Sequence, residues 1–548
     1  MRIAALDLGS NSFHLLVADV HPDGSFDRLF REKEMLRLGD VVARHGRLTD
    51  EAIEQAVDAV RRFRALAEGA GADEFVACAT SAIREAQNGA DLVARLDVET
   101  GVRVRVISGI EEAQLIFRAV QASVLIDPGP AVCLDLGGGS LEVMVGDATE
   151  LALATSVKLG VARLTAQLVK GDPAEPLRSG DLRRLRKRIE GVLGPIADAV
   201  ASLQPRLMVG TSGTLCDLAR MAVAAETGTV PISINQHHVS RRAVEDVHEL
   251  LASLPLAGRR RLPGLDARRA ELAPAGSLLA VVALELFGFD ELVVGTWALR
   301  EGMVLEEMRR HTGAELSGDP GLMRASSVLD LCQRCGWREP HSRQVAALAV
   351  SLFDQTAALH GLGERHRELL EYAAFLHDIG EHVSGESHHK HTAYLIQHGQ
   401  LRGFTPEEVA MLATIGRYHR QGEPKSSFEP FGSLDDGVRA ETRVLTALIQ
   451  VADGLDRGHL ASVSGIDVVV GDDRIELWLR ATGDTELDLW GARRKRALFE
   501  QVFERRLELA DESPAHAAAG PSAAFYGHSR PATYRDAPRA VSAADDGG

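Results

Sequence analysis

LDLGSNSFHLLVAD (Leu6–Asp19) and LDLGGGSLEVMVGD (Leu134–Asp147) are the two stretches from which the architecture of this chain can be read. They align without a gap at an offset of 134 − 6 = 128 residues, and seven of their fourteen positions are identical: Leu, Asp, Leu, Gly, Ser, Val and Asp. Each copy is an apolar run, a polar Gly/Ser/Asn turn and a second apolar run, the pattern of a β-hairpin with a polar loop. Unrelated hairpins share common strand residues, but not a gapless match centred on the turn. The chain therefore carries an internal duplication.

Between the copies, Thr49–Ala67 sets Ile53, Val57, Val60 and Leu66 at helical spacing, with Gly69 as a stop. A strand (FVACAT), a short helix, a strand (VRVRVIS) and a helix opening at Glu111 are expected next. After the second copy come a charged helix around Arg183–Val192, a strand RLMVG, a turn GTSGT (Gly210–Thr214), a late strand ELVVG and the segment LREGMVLEEM. The expected fold class is α/β: two duplicated domains, 1–126 and 127–312, facing each other across a cleft. From about residue 320 the spacing turns helical, in VLDLCQRCGW, HSRQVAALAVSLFDQT, RELLEYAAFLHDIG, HTAYLIQHG, EEVAMLATIGRYH and RVLTALIQVADGLDR. An all-helical domain over 320–510 is expected, with a strand pair near IDVVVG and RIELWLR. The Ala/Pro/Ser/Gly-rich tail, 511–548, reads as disordered.

Composition bounds the function. The chain has 548 residues, which at roughly 100–200 per domain is about three or four domains. Its formal charge of −17 argues against a nucleic-acid coat or an anionic-membrane binder, while leaving room for a local basic cleft. The runs RRLRKR (Arg183–Arg188), RRR (Arg259–Arg261) and RRKR (Arg493–Arg496) are candidates to line a path for a polyanion, though most charge runs are solvated helix faces. Five cysteines, with one CxxC at Cys332 and Cys335 and no second ligand pair, suit a reducing compartment and no zinc site. Asp7 stands where a secretion signal would be apolar, and the apolar stretch Leu278–Phe289 contains Glu285 and is too short to span a bilayer. A cytoplasmic protein without membrane or specific nucleic-acid partners is expected, and a homodimer.

The two turns suggest phosphate chemistry. Gly9, Ser10, Asn11 and Ser12 in one copy, and Gly137, Gly138, Gly139 and Ser140 in the other, allow backbone N–H groups close approach to an anion. Gly210, Thr211, Ser212, Gly213 and Thr214 are candidates for a third cradle. Asp7 and Asp135 at the strand ends are hard oxygen ligands suited to Mg²⁺. Hydrolysis also needs a group that orients or deprotonates water, and Glu111 and Glu112 follow a strand in the first turn of a helix. Acids there also favour the helix dipole by about 0.3–1 kcal/mol without any other role. Arg84, after another strand, is a candidate to neutralise phosphate charge.

DLGSNSFHLL, ATSAIREA.NG, ISG.EEAQLIF, LDLGGGS.E, GTSGT and LREG together resemble the exopolyphosphatase / guanosine pentaphosphate phosphohydrolase family, over roughly residues 1–310. That family lies in the actin–hexokinase superfamily of duplicated ribonuclease-H-like domains. The resemblance implies that Glu112 is the catalytic base, that Asp135, Gly137, Ser140 and Glu142 form the phosphate and metal loop, and that Arg84 contacts substrate. It departs at Gln114, where Arg is frequent, and at Glu271, where Asp is usual; both bear on substrate choice rather than catalysis. The implied activity is Mg²⁺-dependent removal of terminal orthophosphate from polyphosphate. Alternatives are the same reaction on guanosine pentaphosphate, a non-catalytic polyphosphate- or nucleotide-binding regulator, and a sugar kinase.

In the helical domain, His341, His377, Asp378 and Asp453 fall on three expected helices as candidate divalent-metal ligands. Their order resembles an HD-type phosphohydrolase domain. SHHKH (Ser387–His391) and His419 add histidines suited to a second metal or to phosphate. A helical module for substrate binding or dimerisation, with its histidines satisfied as ordinary polar groups, is the competing expectation.

Overall fold

In the computed structural model, which describes residues 1–21, 25–172, 174–313 and 320–510, both copies of the repeat are antiparallel hairpins. The first is β1 (Arg2–Leu8) and β2 (Ser12–Val20), continued by β3 (Phe26–Met35); β4 (Glu74–Ala79) and β5 (Val104–Val106) add in parallel, in the order β3-β2-β1-β4-β5. The second is β6 (Ala131–Leu136) and β7 (Leu141–Gly146), with β8 (Leu151–Val157), β9 (Leu207–Thr211), β10 (His238–Ser240) and β11 (Glu291–Val294) in the order β10-β11-β9-β6-β7-β8. Setting aside the antiparallel edge strand β10, the second sheet repeats the first strand for strand.

The period-two alternation of the strands sets the layers. On β1, Ala4, Leu6 and Leu8 join one core, while Ile3 and Ala5 face the opposite way into another. On β6, Val132, Leu134 and Leu136 face an outer core, while Ala131 and Cys133 enter the same inner core as Ile3 and Ala5. The two sheets therefore share one apolar layer beneath the cleft. It contains the helices Gly109–Gln121 and Leu299–Thr312, which pack so closely that a Cβ on Gly302 would lie 2.0 Å from the Leu115 carbonyl oxygen. Leu299–Thr312, although last in the second half, packs against β1 and β2 of the first sheet.

The segment from Pro320 is helical around a core of its own, built on Glu339–Gln355, Glu364–Leu376, Pro406–Tyr418 and Asp436–Gly454. The expected strand pair is present as β12 (Val463–Val470) and β13 (Arg474–Ala481). A third strand, β14 (Arg506–Ala510), adds in parallel to β13. Sequence reading missed it because RLELA is only five residues long and directly precedes the polar tail. That tail, 511–548, lies outside the described residues. Cys332 and Cys335 are free, buried thiols. Among the described residues, no helix is long and apolar enough to cross a membrane.

Candidate active site

The two polar turns meet. A Cβ on Gly138 would lie 3.2 Å from Asn11 Cβ, and one on Gly139 only 2.4 Å from Ser81 Oγ and 2.7 Å from Ser10 Oγ. Glycine is required here by the close approach of the two halves, beyond anything a hairpin turn needs. Together the turns border a cavity of about 310 Å³, lined also by Asp7, Glu112, Asp135 and the segment Ser212–Thr214.

Cross-strand register carries the charged groups to this place. Asp7 pairs with His14 and His14 with Lys33, a row running across β1, β2 and β3. In the second copy Asp135 pairs with Glu142 and Glu142 with Ser156. Asp135 Oδ1 accepts a hydrogen bond from Thr211 Oγ1 at 2.5 Å, and burial raises its pKa while that bond opposes the rise. Burial also raises Asp7, to about 7; Arg300 opposes the shift and Asp135 adds to it. The buried Oδ1 of Asp7 has no hydrogen-bond partner. Asp7 and Asp135, both raised by burial and with Asp135 adding to the rise at Asp7, are hard oxygen donors of the kind a divalent cation takes.

Glu111 and Glu112 separate cleanly. Ser108 caps their helix, its Oγ accepting from Glu111 N at 3.1 Å. The Glu111 side chain turns outward to Arg105. Glu112 is buried at the cleft, with Oε2 3.3 Å from Arg84 Nη1. Burial and then the Glu142 carboxylate raise its pKa well above the ordinary value, and Arg84 opposes them.

Several expected residues sit elsewhere than in the cavity wall. Glu142 is fully buried behind Asp135; its Oε1 accepts from Ser156 Oγ at 2.7 Å, and burial followed by Asp135 pushes its pKa up to about 7. Arg84 donates to the Ile107 carbonyl at 2.6 Å and to Glu112, so it holds Glu112 from behind. The third cradle is shorter than expected. Gly210 and Thr211 belong to β9, where Gly210 packs against Leu215 and Leu292, because the strand runs one residue beyond the expected RLMVG and takes in the first two residues of the expected turn. Ser212, Gly213 and Thr214 form the first turn of the helix Ser212–Thr227 and do line the cavity, with Ser212 at φ +87°.

The cationic wall was not legible in the basic runs. Arg31, Lys33, Arg220, Arg269 and Arg300 line the cavity. Arg186 instead pairs with Glu285, Arg259 is buried against the Leu251 and Glu175 carbonyls, and Arg493 and Arg496 bond to carbonyls of β14. Arg31 and Lys33 had a signal in the strand period of β3, and Arg300 stands in the LREG segment. Arg300 Nη1 donates to His14 Nδ1 at 2.8 Å, leaving His14 Nε2–H to donate to Ser12 Oγ at 2.7 Å. At the rim, Arg37 pairs with Glu271 at 3.1 Å and Lys33 approaches Asp266 at 4.0 Å, linking the two halves. Gln114, the other departure, is exposed away from the cavity.

In the helical part the four expected ligands converge. His341 Nε2 lies 3.2 Å from His377 Nε2, 3.7 Å from the Asp378 carboxylate and 3.8 Å from that of Asp453.

The family model described as "Ppx/GppA phosphatase family" matches residues 16–311, more than half of the sequence, and takes in the cleft residues from Arg31 to Arg300. The chain belongs to the Ppx/GppA phosphatase family. The model for domain III of that family matches residues 323–463. Exopolyphosphatase 1 of Mycobacterium leprae is 33% identical over 312 residues, which is 56% of this chain and 90% of the relative. A guanosine-5'-triphosphate,3'-diphosphate pyrophosphatase of Vibrio vulnificus is 30% identical over 423 residues, 76% of this chain and 80% of the relative. Among solved structures, an exopolyphosphatase from Cytophaga hutchinsonii matches with a TM-score of 0.53 at 28% identity, covering 57% of this chain and 98% of that one. Family membership brings the actin-like fold, and the repeated strand order of the two sheets is that duplication. The chain is a phosphoanhydride hydrolase of this family.

Proposed function

We propose that the chain is an exopolyphosphatase, releasing orthophosphate from the end of inorganic polyphosphate in the cleft between the two α/β halves. The observation that carries this reading is a cavity of about 310 Å³ bordered by two facing backbone turns, with a buried carboxylate of raised proton affinity on one side and five cationic side chains around it. Among the described residues no Phe, Tyr or Trp lines the cavity, which favours a bare phosphate chain over a nucleoside. The Vibrio relative supports a second reading, the same hydrolysis on guanosine pentaphosphate, because its match runs through 76% of this chain.

Turn N–H groups at Gly9–Ser12 and Gly137–Ser140, with Ser212–Thr214, hold the terminal phosphates. Arg300, Arg269, Arg220, Arg31 and Lys33 neutralise the chain behind them. Glu112 takes a proton from the attacking water; burial raises its proton affinity, and Arg84 fixes its direction. Water oxygen bonds to the terminal phosphorus, the bridging phosphorus–oxygen bond breaks, and the shortened chain leaves with the bridging oxygen. Asp7 and Asp135, backed by Glu142, would hold Mg²⁺, which supplies charge neutralisation on the transferring phosphoryl group. The decisive experiment is orthophosphate release from long polyphosphate and from guanosine pentaphosphate with Mg²⁺. Faster release from the nucleotide would reverse the order of the two readings.

For the rest of the molecule, the same reading has domains at 1–126, 127–312 and 320–510, acting as a cytoplasmic homodimer; light scattering tests the latter. The helical domain is read as HD-type, with His341, His377, Asp378 and Asp453 as ligands of a divalent metal.

A further inference from the structure

The two phosphate turns are anchored differently. In the first, the Ser10 carbonyl accepts from Gly39 N at 2.7 Å and the Asn11 carbonyl from Arg37 N at 2.9 Å, all within the first half. In the second, the carbonyls meet the start of the helix Val161–Leu168. Gly137 O accepts from Val161 N at 3.0 Å, and Gly138 O from Ala162 N at 3.0 Å and Arg163 N at 3.2 Å. The approach is so close that a Cβ on Gly160 would lie 2.2 Å from Gly138 O. Gly139 O accepts from a side chain instead, Arg163 Nε at 2.9 Å.

A trans peptide sets the carbonyl of one residue and the N–H of the next on opposite sides. Holding the carbonyls of Gly137, Gly138 and Gly139 against the helix therefore aims the N–H groups of Gly138, Gly139 and Ser140 away from it. The Gly137 N–H closes the turn on Ser140 O at 3.1 Å, so those three are the donors the turn offers to the cavity it lines. Only the last of the three depends on a side chain, and that side chain is held from the other half. Arg163 Nη2 donates to both carboxylate oxygens of Glu85 at 2.9 Å, and Glu85 ends the short helix Ser81–Glu85 of the first half. Ser81 Oγ donates to Glu85 Oε1 at 2.8 Å, and Lys158 Nζ lies 2.9 Å from its Oε2. Arg163 and Glu85 both stand outside the cavity wall.

We propose that Arg163, clamped by Glu85, is a positioning residue for the second turn: it fixes the Gly139 carbonyl so that the Ser140 N–H is aimed at the terminal phosphate, and it makes that aim depend on the two halves being together. The proposal rests on the reading of Gly137–Ser140 as a phosphate cradle. The planar fork of a guanidinium is what lets one side chain reach a carbonyl through Nε and a carboxylate through Nη2 at once. The link closes on itself, because Ser81, which bonds to Glu85, is the residue that Gly139 packs against. Arg163 acts on the phosphate through the turn and not by its own charge, which Glu85 already pairs.

The test is calorimetric binding of tripolyphosphate with Mg²⁺ to the full chain, on a Glu112→Gln parent that suppresses turnover. Arg163→Met should weaken binding about tenfold, the scale of one hydrogen bond to a charged group. Arg163→Lys keeps the charge without the fork and should fall between the two; it carries the test if Arg163→Met does not fold. Glu85→Met gives the decisive sign. It removes a negative charge near a polyanion and by charge alone would tighten binding, whereas loss of the clamp should weaken it several-fold. Added to Arg163→Met, it should cost nothing further. With Glu112 restored, the losses should fall on KM for polyphosphate and leave kcat nearly unchanged. Unchanged or tighter binding in Glu85→Met, parental binding in Arg163→Lys, or additive losses in the double variant would overturn the proposal alone. A parent that binds no tripolyphosphate would overturn the cradle reading and the proposal with it.

Discussion

Glu111 and Glu112 are adjacent in sequence and opposite in environment. One turn of helix sends the first to solvent and Arg105, and the second into the cleft beside Arg84. Glu112→Gln keeps shape and removes the proton acceptor, so kcat for phosphate release should fall by about 10²–10⁴ with KM nearly unchanged. Unchanged turnover in that variant would sink the mechanism. Lys33 offers a second test. Burial, then Arg269, lowers its pKa to about 8. It is charged below that pH and neutral above it, so KM for polyphosphate should rise as pH passes from 7 to 9, and Lys33→Arg should flatten the rise. Ser212 holds a left-handed backbone angle at the cavity wall. Conformations of that kind cost on the order of 1–3 kcal/mol and persist where the surrounding structure imposes them.

Among elements, the paired turns are the most sensitive. Gly139→Ala drives a Cβ against Ser81 and Ser10, so their hydroxyls must turn aside or the halves must part. KM for polyphosphate should rise about tenfold, the ratio that corresponds to ~1.4 kcal/mol of lost binding, while the melting temperature shifts little if the strain is taken up at the cleft. In the helical part, Arg324 ties the helix Pro320–Arg334 to Pro406–Tyr418. Buried, it contacts Glu408 at 3.0 Å and Glu368 at 3.1 Å, bonds to the Gly403 carbonyl at 2.7 Å and stacks on Phe404. Arg324→Met leaves Glu408 buried with only Arg365 beside it, and should cost about 3–5 kcal/mol in denaturant unfolding of that part. Adding Glu408→Gln should recover part of the loss, since the stranded charge is then removed.

At the scale of the molecule, the two α/β halves share their own inner core, and the Mycobacterium relative is matched over 90% of its length by 56% of this chain. A chain ending at Gly313 should therefore fold and release orthophosphate. A second cleft, lined by Arg28, Arg31, Arg220 and Arg402, joins the active cavity through Arg31, Arg220 and Thr296 and lies against the helical part. Removing that part removes Arg402, so long chains should lose more in kcat/KM than tripolyphosphate; equal losses would deny the second cleft a role. The duplication, the two facing turns, Asp7 and Asp135 were legible in the sequence because strand–turn–strand patterning is local and the two copies are 128 residues apart without a gap, whereas Glu112 was singled out from Glu111 only by the family resemblance. So were His341, His377, Asp378 and Asp453, as ligand types on helices. The burial of Glu142 behind the cleft, the turn of Arg84 toward Glu112 and the membership of Thr211 in a strand were not, because each depends on what packs against the residue from another element. The cationic wall was hidden for the same reason: Arg31, Lys33, Arg220, Arg269 and Arg300 are scattered singly along the chain, and only cross-strand register and the closing of the two halves bring them to one cavity. The sequence by itself determined the repeated fold and the chemistry of its turns, since both follow from local pattern; the tertiary structure alone decided which charges meet, since electrostatic groups act through distance in space and not along the chain.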